Sequence, residues 1–385
     1  MRTYKVVSGD GHLEFPADLW VGRVPVRHRD MAPRAIIKDN TQYWQMGEFE
    51  HPCVGNLRAG LRSDAMVQEA LRYRNERGEL RPGCGGGAQR LREQDADGLD
   101  AEVLFPPVYG PNFLRNLIEK NKDAYVAILQ AYNSYVAEEY CAVARDRLIG
   151  TFLVPETGVD DAIAEVARCK KMGLNAVCLN MWPNGGTNYM PEDDRFFAAL
   201  LDMDVKLAPH INFGTRGFVV TRSTGDALLS FGGLIQGAAH TIGHMIMHGV
   251  FDRFPALRVY FAETQCSWLA GSLKLIDDFY LRWYPYYKVL YLKKMPSDYY
   301  RDHCKFGFIS DPACVHARYQ IGVDMMLWGT DLPHGVADYP DSVDVVEDMF
   351  AGIPEDEKKQ MILGNVCEFF DLDPSKPLTE TPKGN

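Results

Sequence analysis

Short apolar runs rich in β-branched residues recur along the chain, and each is followed by a segment with apolar positions at helical spacing. Runs at 4–7, 101–106, 148–154, 175–180, 205–209, 257–262, 305–309 and 325–329 read as eight strands. Helices are expected over 119–145, 160–172, 193–203, 233–249, 266–281, 312–320, 340–351 and 355–364. Strands alternating with helices imply a parallel sheet. Eight such units predict a closed (β/α)8 TIM barrel, one domain over 1–385. In that architecture the reacting groups stand at the C-terminal ends of the strands.

Two stretches break this rhythm. Residues 15–98 carry no regular repeat. Within them, aromatic and polar residues alternate over 42–49 as a small hairpin would, and the glycine-rich 81–87 must be a loop, one that could move. So long a connection between the first two strands is usually functional, and a cap or lid over a site is expected there. The aromatic-rich 282–302 reads as a smaller insertion, packed under a loop or lining a hydrophobic substrate pocket.

Composition changes this picture mainly by exclusion. A net charge of −11 and a pI of about 5.4 give no electrostatic case for nucleic acid or an anionic membrane, although a local basic pocket stays compatible with them. The nine cysteines are scattered, odd in number and without a CxxC pair, which fits a reducing cytoplasm better than a disulfide framework. Neither a signal peptide nor a membrane-spanning apolar stretch is expected.

The chemistry gathers at strand ends. Asp10 and His12 alternate after the first run, so in an extended chain both side chains share one face. His210 follows the fifth strand, Glu263 the sixth and Asp331 the eighth. Carboxylates and imidazoles converging there suit a borderline or hard divalent metal. Each residue also has a plainer role. Asp331 could cap the next loop, His210 could be a bonded core histidine, and Glu263 could pair with Arg216. Buried carboxylates are rare unless paired or bound to metal, which favours placing Glu263 in the metal shell or just behind it. Glu14 reads as a cap or support. His334, three residues after Asp331, can orient it or face substrate.

His240, His244 and His248 recur every four residues and share a helical face. His240 is a candidate proton carrier or simply part of a polar face, and Thr241 stands where a zinc protease needs glutamate. Arg216, flanked by Gly214 and Gly217, could clamp a substrate carboxylate or phosphate, or lie exposed on its loop. Ser8, Ser267 and the cysteines form no nucleophile–base arrangement, and no dinucleotide or phosphate-binding glycine motif is present.

The chain resembles the amidohydrolase-2 group of the amidohydrolase superfamily, which includes decarboxylases related to aminocarboxymuconate-semialdehyde decarboxylase. The resemblance is carried by Gly9-Asp10-Gly11-His12, by Asp95-Ala96-Asp97-Gly98-Leu99-Asp100, by Gly249-Val250-Phe251-Asp252-Arg253-Phe254-Pro255 and by Trp328-Gly329-Thr330-Asp331-Leu332-Pro333-His334. It implies a divalent ion on Asp10, His12, His210 and Asp331, with Asp331 or a histidine moving protons, and a small carboxylated or acyl substrate that is hydrolysed or decarboxylated. Asp10 replaces the more usual histidine, which shifts the expectation from zinc toward manganese or iron. Leu179-Asn180-Met181 offers no lysine for a carbamate bridge between two metals. The resemblance also makes a homo-oligomer plausible. A second reading uses the same groups, with Glu263 and His240 or His334 added, to hold two irons. Some barrel proteins similar to this group are diiron monooxygenases, for which acyl-CoA-type substrates are suggested.

Overall fold

The computed structural model describes residues 2–14, 17–39, 41–46, 49–52, 74, 80–107, 114–211, 213–214, 237–287 and 291–382. Eleven strands are defined in it. β1 (Val7–His12), β5 (Ala101–Phe105), β6 (Leu148–Leu153), β7 (Ala176–Cys178), β8 (Lys206–Leu207), β9 (Val259–Phe261), β10 (Cys304–Phe308) and β11 (Met326–Trp328) form one parallel sheet in that order. A parallel bridge between Gly11 and Leu332 brings the last strand back to the first, and the sheet curls into a barrel. β2 (Arg34–Lys38), β3 (Thr41–Met46) and β4 (Phe49–Pro52) form a separate antiparallel sheet. The hairpin expected over 42–49 is therefore part of a three-stranded unit.

All eight expected barrel strands are present, most of them shorter than their apolar runs. β8 keeps only two ladder residues, yet His210 pairs with Ala262 beyond its end, so the histidine still emerges at the mouth. β1 runs further than expected, through Asp10 to His12, and all six of its residues are buried. The expected run at 4–7 overlaps β1 only at Val7, and pairing with β5 and Leu332 carries the strand through the polar residues.

Helix α1 (Gly87–Asp97) lies inside the stretch expected to be irregular and packs under the barrel mouth ahead of β5. The segment ahead of it is tightly placed. Arg81, Gly83, Cys84 and Gly85 are buried, and the Gly83 amide donates to Glu93 at 3.0 Å. A Cβ at Gly83 would lie 2.4 Å from the Pro333 side chain, so glycine lets this loop seat on the β11 loop. The single helix expected over 119–145 divides. Asn121 accepts from the Ala124 amide and starts α2 (Lys122–Tyr135), after which a π-turn (Val136–Tyr140) breaks the spacing.

Helix α3 (Val159–Lys171) shows how the outer ring is held. Val159, Ala162, Val166 and Cys169 face inward, Asp160 and Asp161 occupy its first turn, and Arg168, Lys170 and Lys171 its last, each sign complementing the helix dipole. The aromatic stretch 282–302 supplies the last turns of α6 (Ser267–Tyr287), which follows α4 (Asp194–Asp202) and α5 (helical over 237–247), and most of α7 (Pro296–His303). Trp283, Tyr286, Tyr287 and Tyr291 stay exposed rather than packed. Among the described residues no helix is long and apolar enough to cross a membrane.

Candidate metal centre

At the C-terminal mouth, β1 and β11 are laced together around Asp10. The amides of Thr330 and Asp331 donate to the Asp10 carbonyl at 3.1 and 2.9 Å, and the His12 amide donates to Leu332 O at 2.8 Å. A Cβ at Gly329 would meet Asp10 N at 2.7 Å, so only glycine lets the β11 backbone pass this close. Asp331 and Glu263 both adopt left-handed backbone, at φ 56° and 57°. For non-glycine residues this conformation costs of order 1–3 kcal/mol and persists where the surroundings demand it.

Asp10, His12, His210, Glu263, Asp331 and His334 come together here. Donor atoms of Asp10, His12, His210 and Glu263 lie within 4.8 Å of one another, as do those of His12, Glu263, Asp331 and His334. His12 Nε2 is 3.0 Å from Asp331 Oδ1 and 3.5 Å from Asp10 Oδ1, and His210 Nε2 is 3.5 Å from both Asp10 Oδ1 and Glu263 Oε2. Donors about 2.1 Å from one ion sit roughly 3.0–3.5 Å apart. None of these approaches has hydrogen-bond geometry. Both carboxylate oxygens of Asp10 and of Asp331, with Nε2 of His12 and of His210, are buried and without a hydrogen-bond partner. Six orphaned buried polar atoms in two overlapping clusters would be costly in a finished core, and they fit a divalent cation.

The supporting contacts fix which atoms face inward. His12 Nδ1 is 3.1 Å from the Pro106 carbonyl, which can only accept, so Nδ1 carries the proton and Nε2 presents its lone pair. His334 stacks on His12 at 3.9 Å between ring centroids. Its Nδ1 lies 3.0 Å from Asp331 Oδ1 and its Nε2 3.2 Å from Glu14 Oε1. Both ring nitrogens thus face carboxylates, and His334 orients Asp331. Behind it, Arg90 makes a two-pronged pair with Glu102 at 2.7 and 3.0 Å and also donates to Leu332 O at 3.0 Å.

Charge within the cluster is unbalanced. Burial pushes Asp10 up to about 8, and burial with the charges of Asp331 and Asp10 pushes Glu263 well above the carboxylate range. Burial would raise Asp331 too, but His334 and His12 hold it below its ordinary value. Burial would lower His334, yet Asp331 and Glu14 hold its imidazolium well above the usual range. Burial drops His210 to about 3 and also lowers His12, so both are neutral and able to ligate. Two buried carboxylates and a third, partly buried one gathered together are what a bound cation relieves.

His240 does not join this cluster. It stands exposed on α5 beside His244, because helical spacing shows that the three histidines share a face without showing which face it is. Arg216 lies outside the described residues. Glu14, Arg90 and Glu102 are the supporting groups whose roles the sequence left unassigned or only outlined. For Glu102 a signal existed, since a carboxylate inside an apolar strand requires a cation nearby.

No curated protein sequence matches the chain. Among solved structures it is similar to an amidohydrolase of Mycobacterium avium subsp. paratuberculosis, with a TM-score of 0.67 and 17% identity over 96% of this chain and 100% of that one. It is also similar to 5-carboxyvanillate decarboxylase LigW of Sphingomonas paucimobilis, with a TM-score of 0.63 and 17% identity over 96% and 100% of the two chains. A third is the dihydroxybenzoic acid decarboxylase of Polaromonas, solved with manganese and 2-nitroresorcinol, with a TM-score of 0.60 and 18% identity over 97% and 98%. These likenesses bear out the (β/α)8 barrel. The amidohydrolase family profile matches residues 44–372, so the chain belongs to the amidohydrolase family and is a metal-dependent enzyme of that group.

Proposed function

We propose that this chain is a manganese-dependent decarboxylase of a small carboxylated compound, with Asp10, His12, His210 and Asp331 holding the ion and Glu263 at its edge. The observation that carries the reading is the set of six partnerless buried polar atoms on Asp10, His12, His210 and Asp331, residues that fall in two overlapping clusters of possible ligands. Manganese is favoured because carboxylates make up half of the holding set, and hard oxygen donors suit it. Its presence in the Polaromonas decarboxylase supports the same choice. Loss of CO2 is favoured over hydrolysis because Asn180 stands where a metal-bridging lysine would be needed, and because fold neighbours include aromatic-acid decarboxylases. The family and these neighbours support this reading over the oxygen-activating diiron alternative.

When bound, the ion polarises a substrate oxygen and withdraws charge from the reacting carbon. The protein's own groups then divide the proton work. Environments that push two neighbouring carboxyls apart assign an acid and a base. Asp331, held ionised by His334, takes the proton of a substrate hydroxyl. Glu263, held protonated by burial and by its negative neighbours, gives a proton to the carbon as its bond to the carboxylate breaks and CO2 departs with that carboxylate's oxygens. The electron pair of the broken C–C bond remains on the carbon and becomes the new C–H bond. Arg216 is the proposed clamp for the substrate carboxylate.

The test is a panel of hydroxybenzoic and related carboxylic acids incubated with manganese-loaded enzyme, with CO2 release and deuterium incorporation from D2O as readouts. Release of CO2 with one deuterium placed on the vacated carbon is expected, and Glu263→Gln should slow it at least about a hundredfold. Turnover of esters or amides with no CO2 from any acid would overturn the decarboxylase reading.

A further inference from the structure

We propose that His240 and His244 form a second metal site on the outer surface of α5, separate from the barrel-mouth centre and selective for nitrogen-seeking transition ions such as Cu2+ or Zn2+. Their Nε2 atoms face each other at 3.1 Å. Two imidazole nitrogens each about 2.0–2.1 Å from one ion, at angles between square and tetrahedral, lie roughly 2.9–3.4 Å apart. The pair is already at that bite. With no ion present, one N–H···N hydrogen bond spans the gap; on binding, the donor ring changes tautomer, its proton leaving Nε2 and Nδ1 carrying one instead, so that both neutral imidazoles offer Nε2 lone pairs.

The surroundings hold this arrangement ready. Thr241 points inward and donates to Phe213 O at 3.1 Å, which fixes the rotation of α5 and turns the neighbouring His240 outward. His248 Nδ1 lies 2.9 Å from the His244 carbonyl and therefore donates to it, while the two rings stack at 5.3 Å and 4°. The His244 ring is thereby pinned before any ion arrives, so little side-chain freedom is lost on binding. Burial and its two histidine neighbours hold His244 below the ordinary histidine range, which leaves it neutral with a lone pair to offer. Two imidazoles with open solvent beyond them favour copper, nickel or zinc, and the lack of oxygen donors in the pair disfavours magnesium and calcium. Neither histidine belongs to the barrel-mouth cluster, so the two sites load independently.

The experiment titrates Cu2+ into manganese-loaded holoenzyme by calorimetry and records the copper EPR spectrum. A single further equivalent of copper with equatorial nitrogen ligands is expected, together with a rise in the thermal midpoint. His240→Gln and His244→Gln should each weaken that binding about tenfold or more, because either one breaks the chelate. His316→Gln, an exposed histidine elsewhere, should leave it unchanged. Absence of the extra equivalent, or equal binding by wild type and both α5 variants, would overturn the proposal.

Discussion

At the residue scale the centre is governed by a shortage of positive charge. Asp10, Glu263 and Asp331 lie together, the two aspartates buried and Glu263 partly so, and among the described residues only Asp331 has a cation, His334, placed against it. Metal binding must displace the proton that Asp10, pushed up to about 8, retains below that pH. The sign follows directly: protons compete with the ion at low pH, so affinity rises as pH rises toward 8. Apparent manganese affinity measured at about pH 6, 7 and 8 should increase at each step, and a flat profile would contradict the account. A second expectation concerns His334 and Glu14. Glu14→Gln leaves the holding atoms in place but loosens the ring that orients Asp331, so kcat should fall about ten- to a hundredfold with metal content unchanged. Loss of metal together with activity would instead make Glu14 part of the holding set.

That these residues gather at one place was legible in the sequence because their positions and their chemistry coincide. Asp10, His12, His210, Glu263 and Asp331 each follow an apolar run, and barrel geometry brings such ends together. The pairing of Glu14 with His334, separated by 320 positions, had no local signal. His240 was misleading for a related reason, since a four-residue repeat defines a face without giving its direction.

At the scale of elements, the mouth depends on close approach between β1, β5 and β11. Arg90 on α1 neutralises Glu102 on β5 and grips the Leu332 carbonyl beside Asp331, all fully buried. Removing one partner of such a pair leaves an uncompensated charge, at a cost of about 3–5 kcal/mol, whereas replacing both with apolar residues is often nearly neutral. Arg90→Met should therefore lower urea stability by that order, and adding Glu102→Leu should restore much of it. Equal losses in the single and double variants would mean that the arginine acts through packing alone. Gly11 tests the same crowding from the other side, because its Cβ would meet Arg90 Nη2 at 2.7 Å and Glu102 Oε1 at 3.0 Å. Gly11→Ala is expected to cost about 1–3 kcal/mol by overpacking, read in the same urea titration. Element type was readable along the chain because periodicity reports burial. Element ends were less so, since Asn121, the π-turn and the long reach of β1 depend on caps and ladder partners that periodicity does not carry.

At the scale of the whole molecule, the barrel closes through contacts between its first and last elements. Asp97, at the end of α1, accepts from the Ser342 amide at 2.9 Å and so ties α1 to the helix Ser342–Met349. Burial raises this carboxyl to about 6. A folded value above the unfolded one means that the native state holds the proton more tightly. Stability is therefore greatest below the unfolded value near 4 and declines as pH rises through about 6. Asp97→Asn removes that penalty, so the variant should gain about 1–3 kcal/mol over wild type at pH 8 and almost nothing at pH 4. A difference that does not change with pH would mean that the carboxyl titrates alike in both states.

The central claim, that Asp10 and its neighbours hold a divalent ion, is tested most directly by elemental analysis of protein purified without added metal beside the Asp10→Ala variant. The account predicts about one divalent ion per wild-type chain and near-complete loss in the variant, with both proteins folded by circular dichroism. Metal-free wild type that takes up no manganese on incubation, or equal metal content in the two proteins, would contradict it.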